Sequence, residues 1–313
     1  MQRLVRGVEV AAPAQVVYAL IADPERWPLF LPRTVYAQRL DADGVDERVR
    51  MWGLAEGQVM AWTSGRVLDG AGRRITFRQE LPVAPAESMA GCWQVREVAV
   101  GRCRVDLEHV FAVAPARPQD AAYLREVVEA TSRSALESLR FWAERWSRLG
   151  EVSLSFAETV RVKGPAELVY GFLYEVADWP GQVAHVRRAV VEEDCLGIQK
   201  VALELAAAEG GTPTVAGIRI CFPHAGRIVH KATVPRPLLA AHCGEWSVLP
   251  DEYGVSVVCQ HHVLLREDTI EQVLGPGAGL AEARRQVRAA LTHESRQILR
   301  AARRHAESAI RTL

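Results

Sequence analysis

The residues that decide the fold occur twice in this chain of 313 residues. Residues 12–18 read APAQVVY, and residues 164–170 read GPAELVY. A Trp-Pro step follows each stretch, at 27–28 and at 179–180, so the offset is 152 residues in both places (164 − 12 and 179 − 27). Repetition at such a long period indicates a duplicated domain, because solenoid repeats are only 20 to 50 residues long.

Further along the chain the offset changes to 153 residues. Arg66 then matches Arg219, and the Gly-x-Trp step at 91–93 matches the one at 244–246. We expect this register to continue without a gap, so that His109 matches His262. The repeat predicts an N-terminal domain over 1–148 and a C-terminal domain over 151–313. A chain of this length is long enough for two domains of about 150 residues each.

Each copy shows the same order of local patterns. A short alternating strand comes first, then a helix opened by proline, then a second short helix that holds the Trp-Pro step, and then six strands. A long amphipathic helix ends each copy, at about 119–148 and 279–311. This order predicts an α+β protein of two tandem helix-grip (START-like) domains. In each, a curved seven-stranded antiparallel sheet surrounds the long C-terminal helix and leaves room for a cavity.

Composition excludes several classes of protein. The formal net charge is zero, so no basic field exists to attract nucleic acid or a lipid surface. The N-terminus has no apolar signal core, and no apolar run approaches a membrane span, so we expect a cytoplasmic protein. The six cysteines show no CxxC or other metal-ligand spacing. No metal and no organic cofactor are expected.

Strand alternation places three adjacent candidates on the inner face of the first sheet. Trp62, Ser64 and Arg66 share one face of a strand, which points into the predicted cavity. A buried guanidinium needs a partner, which is either a carboxylate of the protein or an oxygen of a ligand. The sequence leaves both alternatives open.

Other side chains are expected to form the walls of this cavity. Aromatic rings can be plain core or a flat surface on which a planar ligand stacks. A histidine on an inner face is more often a hydrogen-bonded core residue than a catalytic one. Tyr36, just after the first Trp-Pro step, is predicted to bring its hydroxyl to the cavity mouth. The candidates for substrate binding are Trp27, Trp62, Phe77, Gln79, Trp93 and His109.

The second copy keeps the arginine, as Arg219, but has Val215 and Gly217 where the first has Trp62 and Ser64. Its predicted inner face is unusually polar. Three histidines brought together by hairpin pairing can bind zinc, although separate hydrogen-bonded histidines are the favoured interpretation. The candidates in this second pocket are Arg219, His230, His242, Trp246, Gln260 and His262.

The paired copies, the Trp-Pro steps, the triplet Trp62-x-Ser64-x-Arg66 and the two Gly-x-Trp steps resemble the di-domain aromatase/cyclases of bacterial type II polyketide synthases. The resemblance covers nearly the whole chain. It implies a poly-β-ketone substrate carried as a thioester on an acyl carrier protein, alongside other synthase subunits. The implied reaction is regiospecific aldol closure of the first ring, followed by loss of water. Carried over by motif, Arg66, Ser64 and Tyr36 are the implied catalytic residues, and Trp62 lies beside them.

Two other functions remain open on the same fold, because fold alone does not choose between them. One is a non-catalytic carrier of a lipid, quinone or other apolar molecule. The other is a chaperone-like subunit that shapes the polyketide chain without proton chemistry. For the enzyme, we prefer the first copy as the site of chemistry with the second in support. An equal alternative gives cyclisation to one copy and dehydration to the other.

Overall fold

The computed structural model describes residues 1–114, 117, 119–206 and 213–310, apart from the side chains of residues 309 and 310. The chain divides into two compact units, Met1–Leu149 and Gly150–Leu313. None of the helices within these described ranges is both long and apolar enough to cross a membrane.

The first unit contains seven strands and a long C-terminal helix. Two short helices lie between its first two strands. Its strands are β1 (Gln2–Val10), β2 (Thr34–Ala42), β3 (Asp46–Ala55), β4 (Gln58–Asp69), β5 (Arg74–Gln79), β6 (Ala86–Ala99) and β7 (Arg102–Val113). Its helices are α1 (Ala14–Ala22), α2 (Trp27–Phe30) and the long α3 (Gln119–Ala143).

The second unit repeats this arrangement after α4 (Leu149–Val152), which lies at the junction. Its 3-10 turn Val176–Asp178 matches the turn Pro24–Arg26 of the first unit, and residues 179–182, which correspond to α2 and hold the second Trp-Pro step, do not form the predicted helix. Its strands are β8 (Ser153–Val162), β9 (Val186–Cys195), β10 (Ile198–Leu205), β11 (Thr214–Phe222), β12 (Arg227–Val234), β13 (Leu239–Asp251) and β14 (Gly254–Leu265). Its remaining helices are α5 (Ala166–Tyr174), α6 (Ile270–Leu274) and α7 (Leu280–Ile310).

Both sheets have the same antiparallel topology. The strand order is β1-β7-β6-β5-β4-β3-β2 in the first and β8-β14-β13-β12-β11-β10-β9 in the second. Alternate residues of the strands and one side of the long helix are buried together, in one large cluster in the second unit and in several clusters in the first. The predicted fold class, two tandem helix-grip domains of seven strands each, is confirmed.

The Gly-x-Trp steps have a steric cause. A side chain on Gly91 would collide with the Phe77 ring and with the carbonyl oxygen of Glu108. A side chain on Gly244 would meet the His230 ring in the same way. Glycine therefore makes room for a flat ring that the neighbouring strand lays across it, phenylalanine in the first domain and histidine in the second.

The expected constant offset of 153 is wrong at the last strand. Val98 is an extra residue in the first domain, because the residues on either side of it pair with consecutive residues of β7. The same part of the β13–β14 hairpin is paired continuously. The offset therefore returns to 152 (261 − 109), and the counterpart of His109 is His261 and not His262. A slip of one residue moves a side chain to the other face of a strand.

Candidate active site

A cavity of about 440 Å³ lies between the first sheet and α3. Its size falls in the range that holds drug-sized organic molecules. Its wall is mainly apolar, with methionine and aromatic side chains from β3 to β6 and aliphatic and small polar side chains from α3. Eight of the residues predicted from sequence line it: Trp27, Trp62, Ser64, Arg66, Phe77, Gln79, Trp93 and His109.

Arg66 is held inside the protein by an internal acid. Its Nη1 donates to Glu47 Oε1 at 2.5 Å, and its Nη2 donates to the carbonyl oxygen of Ile21 at 2.7 Å. Arg66 is 2% exposed and Glu47 is 4% exposed. The Arg66 guanidinium carbon also lies 5.0 Å from the centre of the Trp27 ring. Of the two alternatives for this arginine, the structure therefore shows the carboxylate, and a ligand is not needed to compensate its charge.

The ion pair nevertheless leaves Arg66 able to bind a ligand. Its two hydrogen bonds use two of its five N–H donors, and the side chain lines the cavity. Burial lowers the pKa of Arg66 to about 10, opposed by the charge of Glu47, so the group stays positive at neutral pH. Glu47 is shared with Arg39, whose Nε donates to Glu47 Oε2 at 2.7 Å. The carboxylate thus fixes the position of a cation at the cavity wall.

Ser64 presents a hydroxyl group that the protein does not satisfy. Its Oγ is buried and has no hydrogen-bond partner among the described residues. Ser64 lines the cavity two residues before Arg66 on the same face of β4. An unpaired buried hydroxyl costs free energy, and a ligand oxygen in the cavity would recover it.

We expect Ser64→Ala to separate stability from activity. Removing an unsatisfied hydroxyl should leave the free energy of unfolding unchanged or raise it by up to about 1 kcal/mol. Product formation should fall about 10-fold, because a hydrogen bond to the reacting chain is lost. Denaturant unfolding and a product assay measure the two effects. Thr63→Ala, on the opposite face of β4, is the control and should change neither product formation nor its distribution. Equal product formation by Ser64→Ala and wild type would show that the Ser64 hydroxyl takes no part in the reaction.

His109 is a neutral imidazole held by the long helix. Its Nδ1 lies 3.3 Å from Ser132 Oγ, and that hydroxyl donates its proton to the carbonyl oxygen of Val128 at 2.7 Å. Nδ1 is therefore the protonated nitrogen, and Nε2 carries the lone pair. Within the described ranges Nε2 has no hydrogen-bond partner. The ring contacts Phe77 edge-on at 5.4 Å between centres.

The acidity of His109 predicts how stability depends on pH. Burial lowers its pKa to about 4, from an ordinary value of 6.5. Between these values the unfolded chain binds a proton at this residue and the folded chain does not, so stability falls as the pH drops through this window. From pH 7 to pH 5, wild type should lose about 1–2 kcal/mol more than His109→Gln in denaturant unfolding. If the free energy of unfolding changed equally with pH in wild type and in His109→Gln, His109 would not be held neutral in the folded protein.

Tyr36 does not line the cavity, so its prediction as a residue of the cavity mouth is wrong. It lies on the face of β2 opposite the buried Val35 and Ala37. The centre of its ring lies 5.3 Å from that of Trp52, the residue opposite it on the neighbouring strand β3. The cause is the period of two along a strand, which puts Val35 and Ala37 inside and Tyr36 on the other face.

The second domain encloses a smaller cavity of about 170 Å³. Arg219 lines it and is held much as Arg66 is. Its guanidinium donates to Gln199 Oε1 at 2.6 Å and to the carbonyl oxygen of Leu173, and it lies 5.9 Å from the Trp179 ring centre. Gln199 and Leu173 match Glu47 and Ile21 at the offset of 152 (199 − 47 and 173 − 21). The duplicated site therefore holds its arginine with an amide where the first holds it with a carboxylate.

Four of the six residues predicted for the second pocket line it: Arg219, His230, His242 and Trp246. Gln260 is exposed, and His262 bonds Ser155 through its Nδ1 at 2.8 Å. These two assignments are wrong because they follow from the offset of 153, which the bulge at Val98 ends. His261 takes the place predicted for His262.

Glu47 and His261 are the functional residues that the sequence reasoning missed. Strand alternation could have placed Glu47 on the inner face, but it does not say which side chain Glu47 contacts. Glu47 alternates with Val49 and Met51 along β3, which places it on the inner face, and it aligns with Gln199. Burial of Val255, Val257 and Cys259 along β14 likewise puts His261 on the inner face.

The two helix-grip domains, each with an inward arginine over a tryptophan, define a tandem protein of the polyketide cyclase class. A family model described as polyketide cyclase/dehydrase and lipid transport matches residues 10–140. The chain is 36% identical over 310 residues to the actinorhodin polyketide synthase bifunctional cyclase/dehydratase of Streptomyces coelicolor, covering 95% of each chain. It is 34% identical to the granaticin counterpart of Streptomyces violaceoruber, covering 96% of this chain and 93% of that one.

A solved structure gives the same result. The di-domain ARO/CYC BexL from the BE-7585A biosynthetic pathway matches with a TM-score of 0.89 and 36% identity, over 98% of this chain and 99% of that one. The chain therefore belongs to the family of di-domain polyketide cyclase/dehydratases. The resemblance drawn from the repeated motifs is confirmed.

Proposed function

We propose that the first domain catalyses aldol closure of the first ring of a poly-β-ketone and the loss of water that makes the ring aromatic. The observation that carries this proposal is the mainly apolar cavity of about 440 Å³ with Arg66, Ser64 and His109 among the polar groups on its wall. A lipid carrier needs no such groups. An oxygen at every second carbon of the ligand gives Arg66 and Ser64 an acceptor, and the acidic methylenes between the carbonyls give His109 a proton donor.

The register of the sheet spaces these groups along the ligand. Arg66, Phe77, Gly91 and His109 lie directly opposite one another on four neighbouring strands. Three strand spacings separate Arg66 from His109, about 14 Å along the sheet. The Phe77 ring lies between them, over Gly91. A polyketide chain can rest on this ring, with one oxygen near Arg66 and Ser64 and a methylene near His109.

The chemistry needs a base, an oxyanion site and a shaped space. His109 Nε2 accepts a proton from a methylene between two carbonyls, and the resulting carbanion attacks a ketone carbon further along the chain. Arg66 and Ser64 donate hydrogen bonds to the oxygen on which negative charge develops. The imidazolium first returns its proton to the new alkoxide, which gives an alcohol and restores the neutral imidazole. His109 then takes the second proton from the carbon that attacked and passes it to the hydroxyl, which leaves as water as the C=C bond forms. The walls select the reacting carbons by holding them close together.

The second domain is proposed to support this reaction, and the alternative of one step per domain stays open. An acyl carrier protein is the proposed donor of the chain, as a thioester, within a type II polyketide synthase. The proposal of a carrier protein and a synthase draws on the named relatives, whose names assign them to polyketide synthases.

Reconstitution tests the proposed function. A synthase that makes a linear octaketide or decaketide is run with and without this protein, and its products are separated and identified. The protein should redirect spontaneous products to one first-ring regiochemistry, and Ser64→Ala, His109→Gln and Arg66→Gln should weaken this effect. A redirection that survives loss of all three polar groups would favour a chaperone, and no change in products would favour a carrier.

A further inference from the structure

We propose that the second domain binds one divalent transition-metal ion of the zinc class through His230, His242 and His261. One ligand nitrogen from each of these histidines lies within 4.8 Å of the other two. The site is separate from the first cavity and stands whichever reaction that cavity performs.

Comparison with the first domain shows that the fold does not require these histidines. At the same three sheet positions the first domain has Phe77, Met89 and His109 (230 − 153, 242 − 153 and 261 − 152). The pairing confirms the match, because Phe77 and His109 flank Gly91 as His230 and His261 flank Gly244. The second domain thus has imidazoles at two positions where the first has apolar side chains. Both domains have a histidine at the third position.

The geometry of the three rings suits a metal. His242 Nε2 and His261 Nδ1 are 3.0 Å apart, close to the spacing of about 3.3 Å that Zn–N bonds of 2.0–2.1 Å give at a tetrahedral ion. An ion bound there would replace the proton that these nitrogens now share. His230 Nδ1 is buried and has no partner in the part of the chain that the structure describes. Its ring centre lies 5.3 Å from that of His242.

An outer contact holds one of the ligands. Cys259 Sγ lies 3.4 Å from His261 Nε2, the ring nitrogen that the metal does not use. Such contacts orient a ligating imidazole and fix its tautomer. Three protein ligands leave a fourth position open, as in catalytic zinc sites.

The charges around the cavity define the fourth ligand. Arg219, Lys231 and Arg236 line the same cavity together with Glu294, which pairs with Arg236 at 2.6 Å. Arg219 on β11 is paired directly with His230 on the neighbouring strand β12. A bare dication is disfavoured beside these groups, so we expect an anionic oxygen in the fourth position, either hydroxide or the carboxylate or enolate of a ligand.

The test measures metal binding by the untagged full-length chain after removal of metal with a chelator. Competition with a chromophoric chelator should show one Zn²⁺ per chain, and Co²⁺ should give the visible absorption of a tetrahedral site. His242→Met and His230→Phe install the residues that the first domain carries at these positions, so both variants should fold. Each should bind Zn²⁺ at least 10-fold more weakly. His262→Gln, next to the cluster but outside it, should bind as wild type does.

Thermal unfolding gives a second readout that does not depend on activity. Zn²⁺ should raise the melting temperature of wild type and of His262→Gln, because an ion that binds only the folded state stabilises it. It should not raise that of His242→Met. Wild-type protein without saturable binding of one ion per chain would overturn the proposal, and so would equal Zn²⁺ affinity in His242→Met and wild type.

Discussion

Arg66→Gln is expected to lower the rate of first-ring closure by about 10²- to 10³-fold, the loss typical when one preorganised donor to a developing oxyanion is removed. The guanidinium lines the cavity with donors left over from its bonds to Glu47 and Ile21. Glutamine keeps a polar side chain but places neither the charge nor the second donor at the wall. The initial rate of first-ring product from a reconstituted synthase measures the effect.

This variant should remain folded, which makes the rate interpretable. Glu47 keeps its bond from Arg39, so the substitution does not leave a buried carboxylate without a cation. Its circular dichroism and melting transition should resemble those of wild type. A rate within a few-fold of wild type in a folded Arg66→Gln protein would show that the arginine is structural and not part of the oxyanion site.

Glu47→Ala is expected to lower the free energy of unfolding by about 3–5 kcal/mol, the largest stability effect that we predict. It leaves the Arg66 guanidinium buried at 2% exposure, and among the described residues its remaining contacts are the Ile21 carbonyl and the Trp27 ring. The cost arises from an unpaired buried cation and not from the loss of a favourable pair. Denaturant unfolding at neutral pH measures it.

Two matched variants interpret this result. Glu80→Ala removes an exposed carboxylate that bonds Arg48 at 2.6 and 2.9 Å, and it should cost no more than about 1 kcal/mol. Glu47→Gln copies the amide that holds Arg219 in the second domain, so it should cost less than Glu47→Ala. Equal stability of Glu47→Ala, Glu80→Ala and wild type would contradict the burial of the pair.

The repeat made most of the fold predictable. The proline-led helix, the Trp-Pro step and the Gly-x-Trp step are each formed by residues close together in the chain. Such patterns can be recognised in both copies without a structure. Strand alternation then placed Trp62, Ser64 and Arg66 on the correct face, because one face of each strand packs against the helix. The same reasoning predicted an enclosed first cavity and its aromatic walls.

The errors share one physical cause. Which face a strand residue occupies depends on register, and register depends on single-residue irregularities that sequence does not announce. One bulge at Val98 shifts β7 against its counterpart, and it moved the predicted pocket residue from His261 to His262. The prediction for Tyr36 is wrong because Val35 and Ala37, on either side of it, occupy the inner face of β2, so Tyr36 lies on the other face.

The partner of Arg66 could not be chosen from sequence for a different reason. Burial of an arginine requires compensation but does not specify which of the chain's acids supplies it. Contact between β3 and β4 decides the matter, because it places Glu47 directly opposite Arg66. The orphaned hydroxyl of Ser64 is likewise a property of three-dimensional surroundings.

One comparison tests most directly whether the first-domain cavity closes the ring. Arg66→Gln and Arg219→Gln change equivalent arginines in the two domains, and their product profiles are recorded side by side in the same reconstituted synthase. We predict that Arg66→Gln loses the product with the correctly closed first ring, while Arg219→Gln still forms that ring. Loss of ring closure in Arg219→Gln with ring closure intact in Arg66→Gln would contradict this account.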